Sequence, residues 1–355
     1  MALGEALMKI AFIGAAGLPN RYGGFESFLE ACAPVMAEAH TITVTCDIAK
    51  YPDRTPEWQG VRRVFLKVPA NGAASVLHDI VAFACVVARA DAIVVLGVSA
   101  GIAFPVMRLI CALLRKRLVV NVDGVEWRRA KFGHARRAFL RVSDSMAQIF
   151  AHKVVVDSAA LLPFLTAAGR RKAACIAYSG DQVVRLPWPD ARDRLLTICR
   201  IEPENNCHLI LEAVAGSDCA LHYDFIGNWD ASDYGRTLRR RYADHPRITL
   251  HDPVYDEQVI ARHRERCAIY LHGHSVGGTN PSLVEMLFYD CRIIAFDCPF
   301  NRETAGETAV YFDDAPALAR QLAGDGGQAS DRTAIRERYT RASIAGRYLA
   351  VVAQV

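Results

Sequence analysis

The stretch Lys9–Gly17, KIAFIGAAG, sets the fold, because an unbroken apolar run ends there in a glycine-rich turn. A strand without polar alternation is typical of a sheet covered on both faces. From about Phe25 to Ala39, apolar residues recur at helical spacing. We therefore interpret Met1–Gly17 as containing a buried first strand instead of a signal peptide, followed by one α-helix.

The same alternation of short aliphatic runs and amphipathic stretches continues through all 355 residues. In the first half the strand candidates are Lys9–Gly14, Thr41–Cys46, Val61–Leu66, Ala92–Leu96, Leu118–Val122, Lys153–Val156 and Ala174–Tyr178. In the second half they are Leu195–Cys199, Leu221–Ile226, Arg247–Leu250, Ala268–Leu271, Arg292–Phe296 and Ala309–Phe312. This pattern predicts an α/β protein with helices on both faces of parallel sheets.

Two such sets of strands exceed what one open sheet commonly holds. The segment Ser179–Arg194 between them, with Gly180 and Pro187, has the composition of a connector. We predict an N-terminal Rossmann-like domain at residues 1–180 and a C-terminal Rossmann-like domain at residues 181–330. A long helix is predicted at residues 331–355 and is expected to pack back toward the first domain.

Composition excludes several classes of protein. A hydrophobic content of 52% and a charged content of 23% exclude a disordered chain. A net charge of +4 gives no overall attraction for nucleic acid. The cysteines are odd in number and lack CxxC spacing, which indicates reduced core residues of a cytoplasmic protein. The uncharged apolar run Ala92–Met107 is too short for a membrane span.

The loop after the first strand is one candidate site. Gly23 and Gly24 open the next helix, where free amides and the helix dipole favour a phosphate or carboxylate, and Arg21 would add positive charge. Two glycines are equally typical of a simple βα turn. Asp47, which closes the second strand, stands where a dinucleotide-binding fold places its ribose-binding acid. The missing GxGxxG turn disfavours NAD, and an Asp at a strand end is also ordinary turn chemistry.

Two carboxylates, Asp123 and Glu126, follow the strand Leu118–Val122. Ligand sites of open α/β sheets lie at such strand ends, so these acids are candidates for binding hydroxyls or moving a proton. A solvated loop is the alternative. The basic segment Arg115–Arg137 around them is expected to rest on anionic lipid headgroups, to bind a diphosphate, or to form a solvated helix face.

The stretch His272–Glu285, HGHSVGGTNPSLVE, is the most informative for function. Asn280 suits a helix N-cap and Pro281 the first helical position, which leaves the preceding amides as a second anion site. Glu285, one turn into the helix, is expected to accept hydrogen bonds from ribose hydroxyls, with an ordinary first-turn acid as the alternative. The two histidines lack a third ligand at metal spacing, so we predict no metal site.

Arg200 ends the first strand of the second half. One cation and one helix N-terminus converging on a diphosphate would neutralise a leaving nucleotide without a metal. Consistent with such a reaction, no DxD motif occurs in the sequence. The central expectation is that the Arg200 guanidinium and the Glu285 carboxyl share one gap between two lobes.

These motifs resemble the GT-B glycosyltransferases of the large retaining family 4. Arg200 to Asn205 resembles that family's Arg-x-x-x-x-Lys segment, and Gly277–Glu285 resembles its Glu-x7-Glu segment. Other segments are similar to a bacterial subgroup that includes rhamnosyltransferases of capsule and exopolysaccharide assembly: Pro19–Glu26, Asp123–Trp127, Ile226–Trp229 and Phe300–Glu303. The resemblance spans nearly the whole chain.

The resemblance implies a retaining hexosyltransferase that uses a dTDP- or UDP-sugar, needs no cofactor, and glycosylates a saccharide acceptor, expected to be polyprenyl-linked. It implies these donor-binding residues in the second domain: Arg200, Asn205, Gly277, Gly278, Thr279, Asn280, Ser282, Leu283 and Glu285. Across the cleft it implies a phosphate or acceptor loop of Arg21, Gly23 and Gly24, and the catalytic candidates Asp123, Glu126 and Glu26. Same-face attack would give retention, with Glu126 or Asp123 as a covalent nucleophile in the alternative.

Three positions depart from the family pattern. Gly277 replaces the first Glu of Glu-x7-Glu, Asn205 replaces the second cation, and Asp123 replaces the His that usually contacts the sugar. Because a 6-deoxy sugar lacks the hydroxyl that this His would hold, the departures favour a deoxysugar donor such as dTDP-rhamnose.

Functions from other classes remain open. A sugar-nucleotide epimerase shares the two-domain architecture, and a non-catalytic sugar-nucleotide-binding protein would suit the loss of the family acid at Gly277. An NAD-dependent oxidoreductase is the remaining interpretation of the first glycine loop. We expect a cytoplasmic protein that is peripheral on the inner face of the cell membrane.

Overall fold

The computed structural model describes residues 7–21, 23–122, 124, 127, 133–187, 191–323 and 330–354. The chain forms two compact units. The first comprises Met1–Ser179 and Arg341–Val355, and the second comprises Gly180–Thr340. Each unit is built on one sheet whose strands are parallel, apart from one antiparallel edge pair, so the predicted α/β class with two parallel sheets is confirmed.

The sheet of the first unit has the order β3-β4-β2-β1-β5-β6-β7-β8. Its strands are β1 (Lys9–Ile13), β2 (Thr41–Asp47), β3 (Glu57–Trp58), β4 (Val61–Leu66), β5 (Ala92–Leu96), β6 (Arg117–Asn121), β7 (Lys153–Val156) and β8 (Ala173–Cys175). The helices in this part of the chain are α1 (Gly24–Ala37), α2 (Ser75–Val86), α3 (Phe104–Leu113), α4 (His134–Phe150) and α5 (Ala167–Arg171). The central strands β1 and β5 are buried almost throughout, as their unbroken apolar sequences predict.

The sheet of the second unit has the order β11-β10-β9-β12-β13-β14. Its strands are β9 (Arg194–Ile198), β10 (His222–Ile226), β11 (Ile248–His251), β12 (Cys267–His272), β13 (Arg292–Phe296) and β14 (Val310–Phe312). The α-helices are α6 (Cys207–Gly216), α7 (Asp233–Tyr242), α8 (Glu257–Glu265), α9 (Pro281–Met286), α10 (Pro299–Ala305), α11 (Ala315–Leu322) and α12 (Thr333–Arg338). Short 3-10 helices in the two units span Gly72–Ala74, Gly101–Ala103, Ala159–Phe164, Pro203–Asn205, Trp229–Ala231 and Gly306–Thr308.

The C-terminal segment differs from its prediction. The single helix predicted at residues 331–355 is wrong, because α12 ends at Arg338 and a separate helix α13 spans Arg341–Ala353. The buried residue Tyr339 causes the break: its carbonyl accepts a hydrogen bond from the Gly180 amide at 2.8 Å and so is withdrawn from a helical ladder. In the first unit α13 packs on α1, with the rings of Tyr348 and Phe28 centred 4.5 Å apart.

All eleven cysteines are free thiols, and most are buried, which agrees with their interpretation as reduced core residues. Within the described ranges, no helix has both the length and the apolar composition needed to cross a bilayer.

Candidate functional site

Two loops meet at the carboxyl edge of the second sheet. β9 and β12 are parallel neighbours, so the loops that follow them leave the sheet side by side. We call them the arginine loop (residues 199–206) and the glycine-rich loop (residues 273–280). The backbone amide of Ser275 donates to the carbonyl of Glu204 at 3.0 Å, which ties the two loops together.

Gly273 allows this close approach. A Cβ atom at this position would lie 2.1 Å from the carbonyl oxygen of Asn205, a backbone atom with no freedom to move aside. Asn206 adds a second tie, because its Nδ2 donates to the carbonyl of Gly273 at 2.9 Å. A larger residue at position 273 would therefore separate the loops.

Asn205 is buried between the same loops. Its Nδ2 donates to the carbonyl of Arg200 at 2.7 Å, and its Oδ1 lies 2.7 Å from Nδ1 of His274. Both ends of the amide are thus used inside the protein. We reassign Asn205 from the predicted donor contact to a residue that positions Arg200 and His274.

His272, at the end of β12, is also buried. Burial, together with the neighbouring His274, lowers the pKa of His272 to about 3, so the ring is neutral at physiological pH. Its Nε2 has no hydrogen-bond partner within the part of the chain that the structure describes. His272 therefore packs in the interior at the start of the glycine-rich loop.

The middle of the glycine-rich loop contains two backbone amides for which the described residues supply no acceptor. Gly277 has φ of +124°, and a Cβ atom there would lie 3.3 Å from Nε2 of His274, so the position suits only glycine. None of the described residues accepts a hydrogen bond from the amides of Gly277 or Gly278. Thr279 beside them is buried. Unpaired amides in a turn favour an anion, which supports this part of the predicted site.

The helix start after this loop has the predicted form. Asn280 is the N-cap, its Oδ1 accepts from the amide of Ser282 at 3.0 Å, and Pro281 is the first helical residue. The amide of Leu283 donates to the carbonyl of Asn280 at 3.1 Å, and its side chain is fully buried. The amides of Ser282 and Leu283 therefore serve the helix, and we remove both from the anion site; only the Ser282 hydroxyl stays a candidate contact.

Glu285 forms an ion pair that the sequence analysis missed. Its Oε2 accepts from Nη2 of Arg264 on α8, and the two side chains are 19% and 10% exposed. Burial disfavours the charged guanidinium, but the Glu285 carboxylate together with Tyr289 and Tyr270 outweighs this and keeps the pKa of Arg264 raised. Among the described residues no donor reaches Oε1 of Glu285, so one carboxylate oxygen is available to a ligand hydroxyl.

Arg200 extends from the arginine loop toward solvent. Its side chain is 59% exposed, and its nearest acid is Glu204, with Nη2 and Oε1 3.9 Å apart. Such an exposed, loosely paired guanidinium is free to bind an anion. Arg200 and Glu285 thus belong to adjoining segments at one edge of the second sheet.

The glycines of the first unit begin α1 as predicted. Gly23 is its N-cap, and Gly24 is its first residue. A Cβ atom on Gly24 would lie 3.3 Å from the hydroxyl of Tyr178, so the helix start is tightly packed. Arg21 is exposed, but its Nη1 donates to the carbonyl of Lys50 at 2.8 Å.

Glu26 follows these glycines and is buried. Its Oε1 accepts a hydrogen bond from the amide of Ala16 at 2.6 Å, which fixes the turn after β1 against α1. This bond lets Glu26 position the first loop, and its catalytic role stays a prediction.

The remaining carboxylates of the first unit have separate outcomes. Asp123 and Glu126 lie outside the described residues. Asp47 is buried, and its two carboxylate oxygens accept from the amides of Ala49 at 3.0 Å and Ala70 at 3.1 Å. Asp47 thus stabilises the turn after β2, which is the alternative to a role as a dinucleotide-binding acid.

Comparisons with known proteins identify the fold. A family model described as a domain of unknown function (DUF1972) matches residues 7–181. No curated protein matches the sequence. HepE from Anabaena, solved in complex with UDP and glucose, is 16% identical with a TM-score of 0.73, and the similarity covers 98% of this chain and 100% of that one.

Two further solved structures are similar over both units. Sucrose-phosphate synthase from Thermosynechococcus elongatus has a TM-score of 0.72 and 16% identity, covering 97% of this chain and 98% of that one. A glycosyltransferase from Rickettsia africae has a TM-score of 0.66 and 12% identity, covering 99% of each chain. At these identities the likeness shows the fold, and the predicted GT-B class with two Rossmann-like domains is confirmed.

Proposed function

We propose that the protein is a glycosyltransferase that uses a nucleoside-diphosphate sugar. The observation that carries the proposal is the union of the arginine loop with the glycine-rich loop at one sheet edge, where a cation, unpaired amides and an acid are brought together. Cations and amides suit a diphosphate, and a carboxylate suits vicinal ribose hydroxyls. HepE, which shares the fold, has been crystallised with UDP-glucose.

In this proposal Arg200 and the amides of Gly277 and Gly278 bind the diphosphate. Oε1 of Glu285 accepts the ribose hydroxyls, and Arg264 positions that carboxylate through Oε2. In the reaction the bond between the anomeric carbon and the diphosphate oxygen breaks, and a bond to the acceptor oxygen forms. The positive charge and amides stabilise the departing diphosphate, so no metal is needed for that step.

Retention of configuration is part of the proposal. The acceptor attacks the face from which the diphosphate leaves, and the departing phosphate oxygen takes the acceptor proton. The family 4 motifs support this course. Asp123 and Glu126 stay candidates for contacts to the sugars, or for the covalent nucleophile of the alternative mechanism.

The proposed donor is a dTDP-deoxysugar such as dTDP-rhamnose, with UDP-sugars as the alternative. The support is chemical: Gly277 offers an amide where the family has a carboxylate, and Asp123 stands where the family has a histidine. The first change removes a carboxylate contact to the donor sugar, and the second removes the histidine that would hold a 6-hydroxyl.

The proposed acceptor is a polyprenyl-linked saccharide at the inner face of the cell membrane, reached through an apolar surface on the first unit. α3 presents Val106, Leu109 and Leu113 to solvent, with exposures of 60%, 60% and 75%. Their spacing places them on one helix face. α4 packs against α3 and exposes Phe139 and Val142. Such a surface is unusual for a helix pair in water.

Positive charge surrounds this apolar surface. Arg115 follows α3, Arg136 and Arg141 lie on α4, and all three are exposed. Apolar side chains bordered by arginines match an anionic bilayer, because the side chains enter the interface while the cations meet the headgroups. This supports peripheral membrane association of a cytoplasmic enzyme and extends the prediction for residues 115–137.

A ligand panel tests the function. The full chain is titrated with dTDP, UDP, GDP and NAD by thermal shift and calorimetry, and release of nucleoside diphosphate from the matching sugar donor is then measured. We expect dTDP or UDP to bind and its sugar to be transferred or slowly hydrolysed. Tight NAD binding would indicate an oxidoreductase. Conversion of the donor sugar in the absence of an acceptor would indicate an epimerase, and donor binding without turnover would indicate a non-catalytic sensor. Each of these results would overturn the proposal.

A further inference from the structure

A second polar cluster lies on β10 and β11, the two strands at one edge of the second sheet. Asp224 projects from β10, His251 ends β11, and His263 comes from α8. Oδ1 of Asp224 lies 2.9 Å from Nε2 of His251, and Oδ2 lies 3.3 Å from Nδ1 of His263. One ligand atom from each residue falls within 4.8 Å of the other two.

We propose that Asp224, His251 and His263 bind a divalent transition-metal ion of the zinc type. Two imidazole nitrogens and one carboxylate oxygen are a donor set that zinc accepts, with a water as the fourth ligand. Magnesium and calcium prefer oxygen ligands throughout, so the two histidines disfavour them.

The spacing of the ligand atoms fits such an ion. Zinc lies about 2.0–2.1 Å from nitrogen and oxygen ligands, which gives about 3.3 Å between two ligands of a tetrahedron. The separations of 2.9 and 3.3 Å join the two histidines to different oxygens of Asp224, and one ligand atom from each of the three residues lies within 4.8 Å of the others. An ion would therefore draw the three side chains together.

The surroundings supply a partly dry site with access to water. The three side chains are between 11% and 29% exposed. They line a cavity of about 780 Å³, which leaves room for a water ligand. Two arginines of the cavity wall, Arg194 and Arg266, are paired with Asp193, so their charge is partly compensated.

Without metal the cluster is held by ring protons. In the metal-free protein the rings of His251 and His263 hydrogen-bond to the two carboxylate oxygens of Asp224. When an ion binds, each ring nitrogen facing Asp224 must offer a lone pair, so the proton of a neutral ring moves to its other nitrogen.

Sequence motifs did not indicate this site, because its residues lie 27 and 12 positions apart along the chain on two strands and a helix. Bound metal would tie α8 to the open edge of the sheet through coordinate bonds. The site therefore has a structural role in the first instance, and its test needs no enzymatic assay.

Calorimetry with the untagged, chelator-treated full chain tests the inference, using ZnCl2 and, for comparison, MgCl2. We expect one equivalent of Zn2+ to bind and Mg2+ not to compete. His251→Ala and His263→Ala should each weaken Zn2+ binding at least a hundredfold. The control is His222→Ala: His222 lines the same cavity, lies 2.7 Å from the Thr249 hydroxyl, and should leave the affinity unchanged.

Thermal unfolding, monitored by circular dichroism, is a second test of Zn2+ binding that does not depend on calorimetry. Zn2+ should raise the Tm of the wild type and of His222→Ala, but not that of the two ligand variants. If the His263→Ala variant does not fold, the His263→Gln variant is used instead, because glutamine keeps a hydrogen-bond donor on α8. Absence of stoichiometric Zn2+ binding to the wild type would overturn the proposal. Unchanged Zn2+ affinity in the ligand variants would also overturn it, because the zinc would then bind cysteines or surface histidines.

Discussion

Replacing Glu285 by glutamine tests the ion pair on which the proposed nucleotide site depends. The change keeps the shape and one acceptor oxygen but leaves the Arg264 guanidinium without a counter-charge. Removing one partner of a fully buried pair costs about 3–5 kcal/mol. Because Glu285 is 19% exposed and the glutamine oxygen still accepts a hydrogen bond, we expect a loss of about 2–3 kcal/mol.

Urea unfolding at neutral pH, analysed by linear extrapolation, measures this loss as a change in the free energy of unfolding. The matched control is Glu307→Gln, the same chemical change at an exposed position, which should alter stability by less than about 0.5 kcal/mol. Adding Arg264→Met to Glu285→Gln removes the uncompensated charge and should recover at least about 1 kcal/mol. Wild-type stability in Glu285→Gln, or strict additivity in the double variant, would refute the reasoning.

Three further predictions concern other parts of the molecule. Gly273→Ala should destabilise the second unit by about 2 kcal/mol or more, because the new Cβ would lie 2.1 Å from the Asn205 carbonyl; unchanged urea unfolding would contradict the loop contact. Leu113→Glu should reduce co-sedimentation with anionic vesicles about tenfold or more, whereas Tyr255→Glu, at an exposed position of the second unit, should not; equal losses would remove the membrane surface. Burial raises the pKa of Asp79 to about 7, although a backbone hydrogen bond with Ala100 lowers it in part. The folded chain therefore keeps a proton on Asp79 that the unfolded chain loses near pH 4. Stability should therefore fall as the pH rises through about 4 to 7, and Asp79→Asn should stabilise by roughly 2–4 kcal/mol at pH 8 but little at pH 4; the same gain at both values would disprove it.

Local patterns were sufficient for most of the fold. Apolar runs located most strands to within a residue or two, because a strand covered on both faces is apolar along its whole length. The strand predicted at Ala174–Tyr178 is the exception, since β8 ends at Cys175. Asn280 and Pro281 marked the start of α9 correctly, since capping depends on neighbours in sequence. The two-residue strand β3 was missed, because an edge pair so short carries no periodic signal.

Long-range contacts explain what the sequence did not predict. The sequence predicted a catalytic role for Glu26 but not the hydrogen bond that its carboxylate accepts from the Ala16 amide in the interior. Asn205 looked like a ligand contact, yet its amide joins two loops. Arg264 was not singled out from the sequence, and its pairing with Glu285 is visible only in the structure. The tail helix was interrupted by a hydrogen bond between residues 180 and 339, far apart in sequence.

Several residues of the sequence motifs hold the backbone of the two loops in position. Gly227 is an example, because a Cβ atom there would lie 2.6 Å from the carbonyl of Cys199 at the start of the arginine loop. Asn301 is another, since its Nδ2 donates to the carbonyls of His274 and Phe296, each at 2.8 Å. These residues hold the two loops in place for the few groups that remain open to a ligand.

Calorimetric titration of dTDP and UDP into the wild type, Glu285→Gln and Glu307→Gln tests the central claim most directly. The account predicts that a nucleoside diphosphate binds the wild type and Glu307→Gln alike, and that Glu285→Gln, at a temperature where it is fully folded, binds roughly ten- to a thousandfold more weakly. Equal affinity in all three proteins, or no binding of either nucleotide to the wild type, would contradict it.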